Sequence, residues 1–126
     1  PLTVEDGLKE IGFGAWEGFT KAELLQTRSL EFLRFYQDPV NNTPEGAEPV
    51  HEFFQRISNT REKLLSASEN QHVLVVAHAG VIRAALAYAL GMGSAPMYRI
   101  TVENGRVSRV KFGERLHSVE GINIQL

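Results

Sequence analysis

Apolar residues along this chain cluster into blocks separated by glycine- and proline-rich punctuation, and the densest block runs from His72 to Gly91. Within it, Val73 to Ala77 is an unbroken apolar run, largely β-branched and too short for a core-spanning helix. That pattern predicts a strand covered on both faces, the kind found in parallel sheets. His78 follows, then the small residues Ala79 and Gly80, then Val81 to Leu90, apolar except at Arg83 and closed by Gly91. The second run predicts a buried helix with Gly91 at its C-terminal cap. His78 therefore stands where a buried strand gives way to a helix.

The remaining blocks are simpler. Residues 1–5 read as a short extended segment, and Asp6-Gly7 as a turn. Residues 8–19 carry glycines at 12, 14 and 18 and aromatics at 13, 16 and 19, which predicts a shaped loop with its rings anchored in the core. Thr20-Lys21-Ala22-Glu23 is a capping box, and Leu25, Phe32, Leu33 and Tyr36 recur behind it at helical spacing up to Asp38-Pro39, predicting one helix. The polar stretch 38–49, with prolines at 39, 44 and 49, predicts a lid or binding loop. Val50, Phe53, Phe54, Ile57, Leu64 and Leu65 trace a second amphipathic helix.

Downstream, residues 91–96 read as a loop. The alternation of Tyr98, Ile100 and Val102 predicts a strand, Asn104-Gly105 a type I′ hairpin turn, and Val107, Val110 and Phe112 a bulged return strand. The tail predicts one further short strand.

Composition narrows the classes. A chain of 126 residues is one domain, and 43% hydrophobic with 22% charged residues is an ordinary globular balance. The net charge of −2, with its basic residues scattered, excludes an electrostatic case for nucleic acid or an anionic membrane surface. No cysteine is present, which removes disulfide and thiolate chemistry and makes a cytoplasmic protein the expectation. The longest apolar segment is shorter than a membrane span.

Four histidines raise the question of a metal site. His51, His72, His78 and His117 form no HxxxH-type pair and have no cysteine to complete a set, so no protein-bound metal is expected. His78 taken alone is either a satisfied core histidine or a ligand to an oxyanion. A strand end, small residues that let a ligand approach the backbone, and a helix N-terminus favour the second. Glu10 precedes the glycine loop, either as a surface carboxylate or as one brought to a pocket's edge.

Two stretches together resemble the histidine phosphatase, or phosphoglycerate mutase-like, superfamily. Leu8-Lys9-Glu10-Ile11-Gly12-Phe13-Gly14-Ala15-Trp16-Glu17-Gly18 is similar to the family's LxExxFGxWEG segment, and His78-Ala79-Gly80-Val81-Ile82-Arg83-Ala84 to its HGGVIRA segment, with Ala79 replacing a glycine. Pro44-Glu45-Gly46-Ala47-Glu48 loosely resembles the PGGES loop and leaves the role of Glu48 open. The first motif is closer to the phosphatase branch, including α-ribazole phosphatase, than to the mutases.

The resemblance implies a three-layer α/β/α domain with a mainly parallel sheet. It implies hydrolysis of a small phosphorylated metabolite through a phosphohistidine, without a cofactor. Glu10 would be the general acid, and His78 with the Ala79 backbone would bind the phosphoryl group. Gly12, Gly14 and Trp16 would hold the Glu10 loop, while Arg83 would face a helix or loop. The family's nucleophile lies in an Arg-His-Gly motif on its first strand, and none occurs in these 126 residues. The expectation is therefore a partial domain over 1–126, lacking the family's N-terminal strand and helix and inactive by itself. It would pair through an exposed sheet edge, either with a second copy or with a complementing N-terminal segment. A small nucleotide-binding α/β domain ranks last, since no Walker lysine or GxGxxG supports it.

Overall fold

The computed structural model describes residues 2–126, so Pro1 of the expected N-terminal extended segment lies outside it. Four α-helices lead to a C-terminal hairpin: α1 (Lys21–Thr27), α2 (Ser29–Gln37), α3 (Val50–Ala67), α4 (Ala79–Ala89), β1 (Val107–Phe112) and β2 (His117–Ile124). Short 3-10 turns at Asp6–Leu8, Gly14–Trp16 and Ala95–Arg99 shape the connections.

The capping box forms as its residues dictate: Thr20 Oγ1 accepts from the Glu23 N–H at 3.2 Å and the Glu23 carboxylate from the Thr20 N–H at 2.7 Å. The helix behind it is two helices rather than one. Arg28 leaves helical geometry at φ −140°, ψ 40° and serves as the end of α1 and the start of α2. Across the break, Leu24 of α1 and Phe32 and Phe35 of α2 are buried in the same core cluster.

Helix α3 buries Val50, Phe53 and Ile57 at i, i+3 and i+7, an apolar stripe in which each large side chain contributes about 1.5–3 kcal/mol of hydrophobic stabilisation. It packs against α4, whose Val81, Ala84 and Ala87 present a small, flat surface to the core. Helix α4 starts at Ala79, two residues before its apolar run, and ends at Gly91 with φ +69°. There the Gly91 N–H bonds Tyr88 O at 3.0 Å and the Met92 N–H bonds Ala87 O at 2.8 Å, the paired arrangement of a Schellman cap.

The sheet departs most from expectation. Among the described residues it has two antiparallel strands, β1 against β2, and no parallel ladder. The expected Val73–Ala77 strand lies in a segment, 71–78, without regular structure. Val73, Leu74, Val75 and Val76 are 50, 85, 46 and 91% exposed, so neither face is covered. A strand is defined by its neighbours, and here none pairs with it. Tyr98 and Ile100 do not form a strand either: Pro96 starts a 3-10 turn over Ala95–Arg99, as a proline early in a helix does. Asn104-Gly105 turns the chain with positive φ at Gly105 and not at Asn104, which is not type I′ geometry. The hairpin closes later, where the Gly113 N–H bonds Leu116 O at 3.0 Å. The expected bulge is present as register breaks on either side of Arg109, and the tail forms the long strand β2. Among the described residues no helix is long and apolar enough to cross a membrane.

Candidate active site

His78 caps α4 in extended geometry, φ −100° and ψ 163°, and its carbonyl accepts the Ile82 N–H at 3.0 Å. Its imidazole is exposed and makes no hydrogen bond among the described residues. The first amides of a helix have no partner within it, and here a distant residue takes one of them. Glu10 Oε2 accepts the Gly80 N–H at 3.0 Å, while its other oxygen accepts the Ile11 N–H at 3.0 Å. Two sequence-predicted residues, Glu10 and His78, thus meet one helix end, with the Ala79 amide between His78 and the Gly80 amide that Glu10 holds. The positive end of the helix dipole favours the carboxylate there. A side chain at Gly80 would collide with the Glu10 carboxylate, so glycine at that position is what permits the approach.

The loop carrying Glu10 is fixed from two sides. Gly14 has φ +54°, and a Cβ on it would strike the backbone of residues 45–47. The Ala15 N–H bonds Glu45 O at 2.9 Å, and the Glu48 N–H bonds Gly12 O at 2.8 Å. On the other side Trp16 is 5% exposed. Its ring lies 5.7 Å from Phe32 and 5.2 Å from Phe35, and its indole N–H donates to Glu31 Oε1 at 2.8 Å. Gly12 is less constrained: a Cβ there would meet Glu17 Oε1 at 3.7 Å, an ordinary contact.

Other candidates fall elsewhere. Arg83 donates from Nε to Ile100 O at 2.8 Å, toward the segment after α4 rather than its N-terminus. The Glu48 carboxylate is held by Arg56, at 2.7 and 3.0 Å. His51 and His72 are exposed, and His117 packs its ring against Phe112 and Tyr88. Among the described residues no three His, Asp or Glu side chains converge as a metal set.

Two residues of this neighbourhood were not singled out by their pattern. Arg56 was hidden at the edge of the α3 stripe, between Phe53 and Ile57. Tyr98 stands at an expected strand position; its hydroxyl is buried without a hydrogen-bond partner among the described residues. Burial, then the neighbouring Tyr36 and Glu10, push its phenol above the usual range, with Arg83 opposing. A carboxylate held on a helix N-terminal amide can transfer a proton, and an exposed imidazole capping the same helix can donate to an oxyanion.

The family model described as the histidine phosphatase superfamily (branch 1) matches residues 1–125. The chain belongs to this superfamily. It is 34% identical to a bifunctional protein of Mycobacterium tuberculosis over 88% of its own length and 30% of that protein's. It is 25% identical to the adenosylcobalamin/alpha-ribazole phosphatase of Escherichia coli, over 98% of this chain and 61% of that enzyme. The alpha-ribazole phosphatase structure from Shigella flexneri superposes with a TM-score of 0.79 at 24% identity, covering 98% of this chain and 61% of the other. The histidine phosphatase α/β fold is therefore shared, and the chain spans between 30 and 61% of the length of these curated relatives.

Proposed function

We propose that this chain carries the general acid and the second histidine of a phosphomonoester-hydrolysing site. The supporting observation is the Glu10 carboxylate bonded to the Gly80 amide at the helix end capped by His78. In this reading the phosphorus–oxygen bond of the substrate breaks as a nucleophilic imidazole takes the phosphoryl group, and water then takes it from the imidazole. His78 donates to the nonbridging oxygens, together with the Ala79 amide. Glu10 protonates the departing alcohol oxygen and afterwards draws a proton from the attacking water. The substrate is a small phosphorylated metabolite. The name of the E. coli relative makes α-ribazole phosphate the first to try.

The nucleophile is not among these residues, since no Arg-His-Gly occurs in the sequence. An arginine on a transferring phosphoryl group is worth on the order of 10³–10⁵ in rate, so the 126-residue chain by itself is expected to show no meaningful turnover. Purified chain is assayed on p-nitrophenyl phosphate beside His78→Ala and Glu10→Gln. Robust hydrolysis by the parent chain, lost in His78→Ala, overturns the predicted inactivity while supporting the site assignment. Hydrolysis indifferent to both substitutions overturns the assignment itself.

A second reading concerns assembly. Val73 to Val76 expose apolar side chains on both faces without a pairing strand, and such a segment templates pairing with another chain. The non-catalytic alternative is a unit that associates through this segment, with a second copy or with a complementing N-terminal segment. Light scattering across a concentration series tests self-association: Leu74→Lys is expected to abolish it, and a monomer at all concentrations removes the second-copy form of the reading.

A further inference from the structure

Among the described residues Arg56 makes the most side-chain hydrogen bonds of any cation. Its fork grips Glu48 twice, Nε to Oε2 at 3.0 Å and Nη2 to Oε1 at 2.7 Å. The third nitrogen, Nη1, donates to Gly7 O and to Lys9 O, both at 2.9 Å. The paired side chains are 29 and 26% exposed, so solvent screens them less than a surface pair. The guanidinium also lies 4.9 Å above the Phe53 ring, which ties it to the buried stripe of α3.

The carbonyl of Lys9 is one half of the peptide bond that leads into Glu10. On the far side of Glu10, the Glu48 N–H holds the carbonyl of Gly12 at 2.8 Å. The Arg56–Glu48 unit therefore pins the backbone on both sides of Glu10. Among the described residues the carboxylate of Glu10 has only the Ile11 and Gly80 amides as hydrogen-bond partners, so its aim toward α4 is set by where that backbone runs. We infer that Arg56, working with Glu48, is a positioning residue that holds the Glu10 carboxylate on the Gly80 amide. Lysine cannot substitute, because a single ammonium has no planar fork to span a carboxylate and two carbonyls at once. The inference gives Glu48 its part, and it rests on the reading of Glu10 as the proton-transfer group only for its chemical meaning.

The test reads the geometry without activity. In the ¹⁵N-labelled 126-residue chain, Glu10→Gln defines the amide shift of Gly80 when its acceptor is no longer charged. Arg56→Ala and Arg56→Lys are both expected to move the Gly80 and Ile11 amides toward those reference positions. They should also raise the hydrogen-exchange rates of these two amides roughly tenfold or more, the effect of losing a hydrogen bond to a charged group. Ala84 and Ala87, in the buried middle of α4, should stay in place. Glu48→Gln, which leaves both carbonyl bonds to Arg56 available, should give a smaller shift in the same direction and covers the case in which Arg56→Ala does not fold. A lowered melting temperature with the Gly80 and Ile11 amides unmoved in Arg56→Lys and Glu48→Gln overturns the inference. Loss of the phosphatase reading would leave these shifts as expected, so the two failures are distinguishable.

Discussion

Two regions of this chain carry clustered large apolar side chains and are opposite in environment. Around Trp16, aromatic residues from the glycine loop and α2 stack into a cluster in which Phe35 is 1% exposed, continuous with Phe53 of α3 at 0%. Along 73–76, four consecutive aliphatic residues lie largely in solvent. Single exposed leucines are ordinary, whereas a contiguous exposed apolar stretch is not, and it is the feature on which the proposed association rests. The difference separates two kinds of information. Caps, turns and close glycine contacts are satisfied within a few residues, whereas the burial of a two-faced strand requires neighbours that these residues do not supply.

The largest expected effect breaks or upholds that contrast directly. Phe53→Ala removes a fully buried ring and should cost roughly 3–5 kcal/mol of unfolding free energy. Leu74→Ser, in dilute chain, should change stability by no more than about 0.5 kcal/mol, as for a surface site. Denaturant midpoints for the two variants settle the matter. A large loss in Leu74→Ser would mean that the segment is buried in solution, and its dependence on protein concentration would show whether a second copy buries it.

A smaller effect sharpens the anchored side. Trp16→Phe keeps a ring in the cluster and removes the indole N–H that donates to Glu31. Glu31 is partly solvated, with its side chain 43% exposed, which discounts a bond to a charged group to roughly 1–2 kcal/mol. Equilibrium unfolding followed by circular dichroism reads this loss. The test fails if Trp16→Phe matches the parent chain, since packing alone would then hold the loop.

The same contrast explains what could be read from the residues. The capping box at Thr20, the Schellman cap at Gly91 and the bulge near Arg109 are local devices with few alternatives, and each appears where its residues indicate. The juxtaposition of Glu10 and His78 was implied by two motifs, although no periodicity could place a carboxylate on an amide 70 residues away. The division at Arg28 is not legible in the residues, because nothing in Thr27-Arg28-Ser29 forbids a helix. Around Tyr98 the alternation of apolar residues predicts a strand, but Pro96, a helix-start signal, prevails in the fold. The parallel sheet failed for a different reason. Val73 to Ala77 has the composition of a central strand, and composition records the environment a sequence suits rather than the one a given length of chain provides.

The smallest effect tests the polar atom left inside the anchored region. Tyr98 packs its ring 5.1 Å from Phe35 and 5.6 Å from Tyr36, and its hydroxyl has no hydrogen-bond partner among the described residues. Near neutral pH, Tyr98→Phe should be neutral or stabilising by up to about 1 kcal/mol, since it removes an unsatisfied buried group while keeping the ring. Alkaline pH separates the variants further. Burial raises the folded-state value of this phenol above its ordinary 10.0, so above that pH the unfolded chain releases a proton that the folded chain retains. The folded state then binds more protons, and stability falls as pH rises. This contribution is complete below the unfolded value and is lost on the way to the raised folded one. Tyr36, also raised by burial, supplies a similar slope that remains in the variant. Denaturant midpoints compared between neutral pH and about pH 11 should therefore fall less steeply in Tyr98→Phe. Equal slopes would mean that the hydroxyl reaches solvent, and that the well-packed side of the molecule opens more readily than its aromatic contacts indicate.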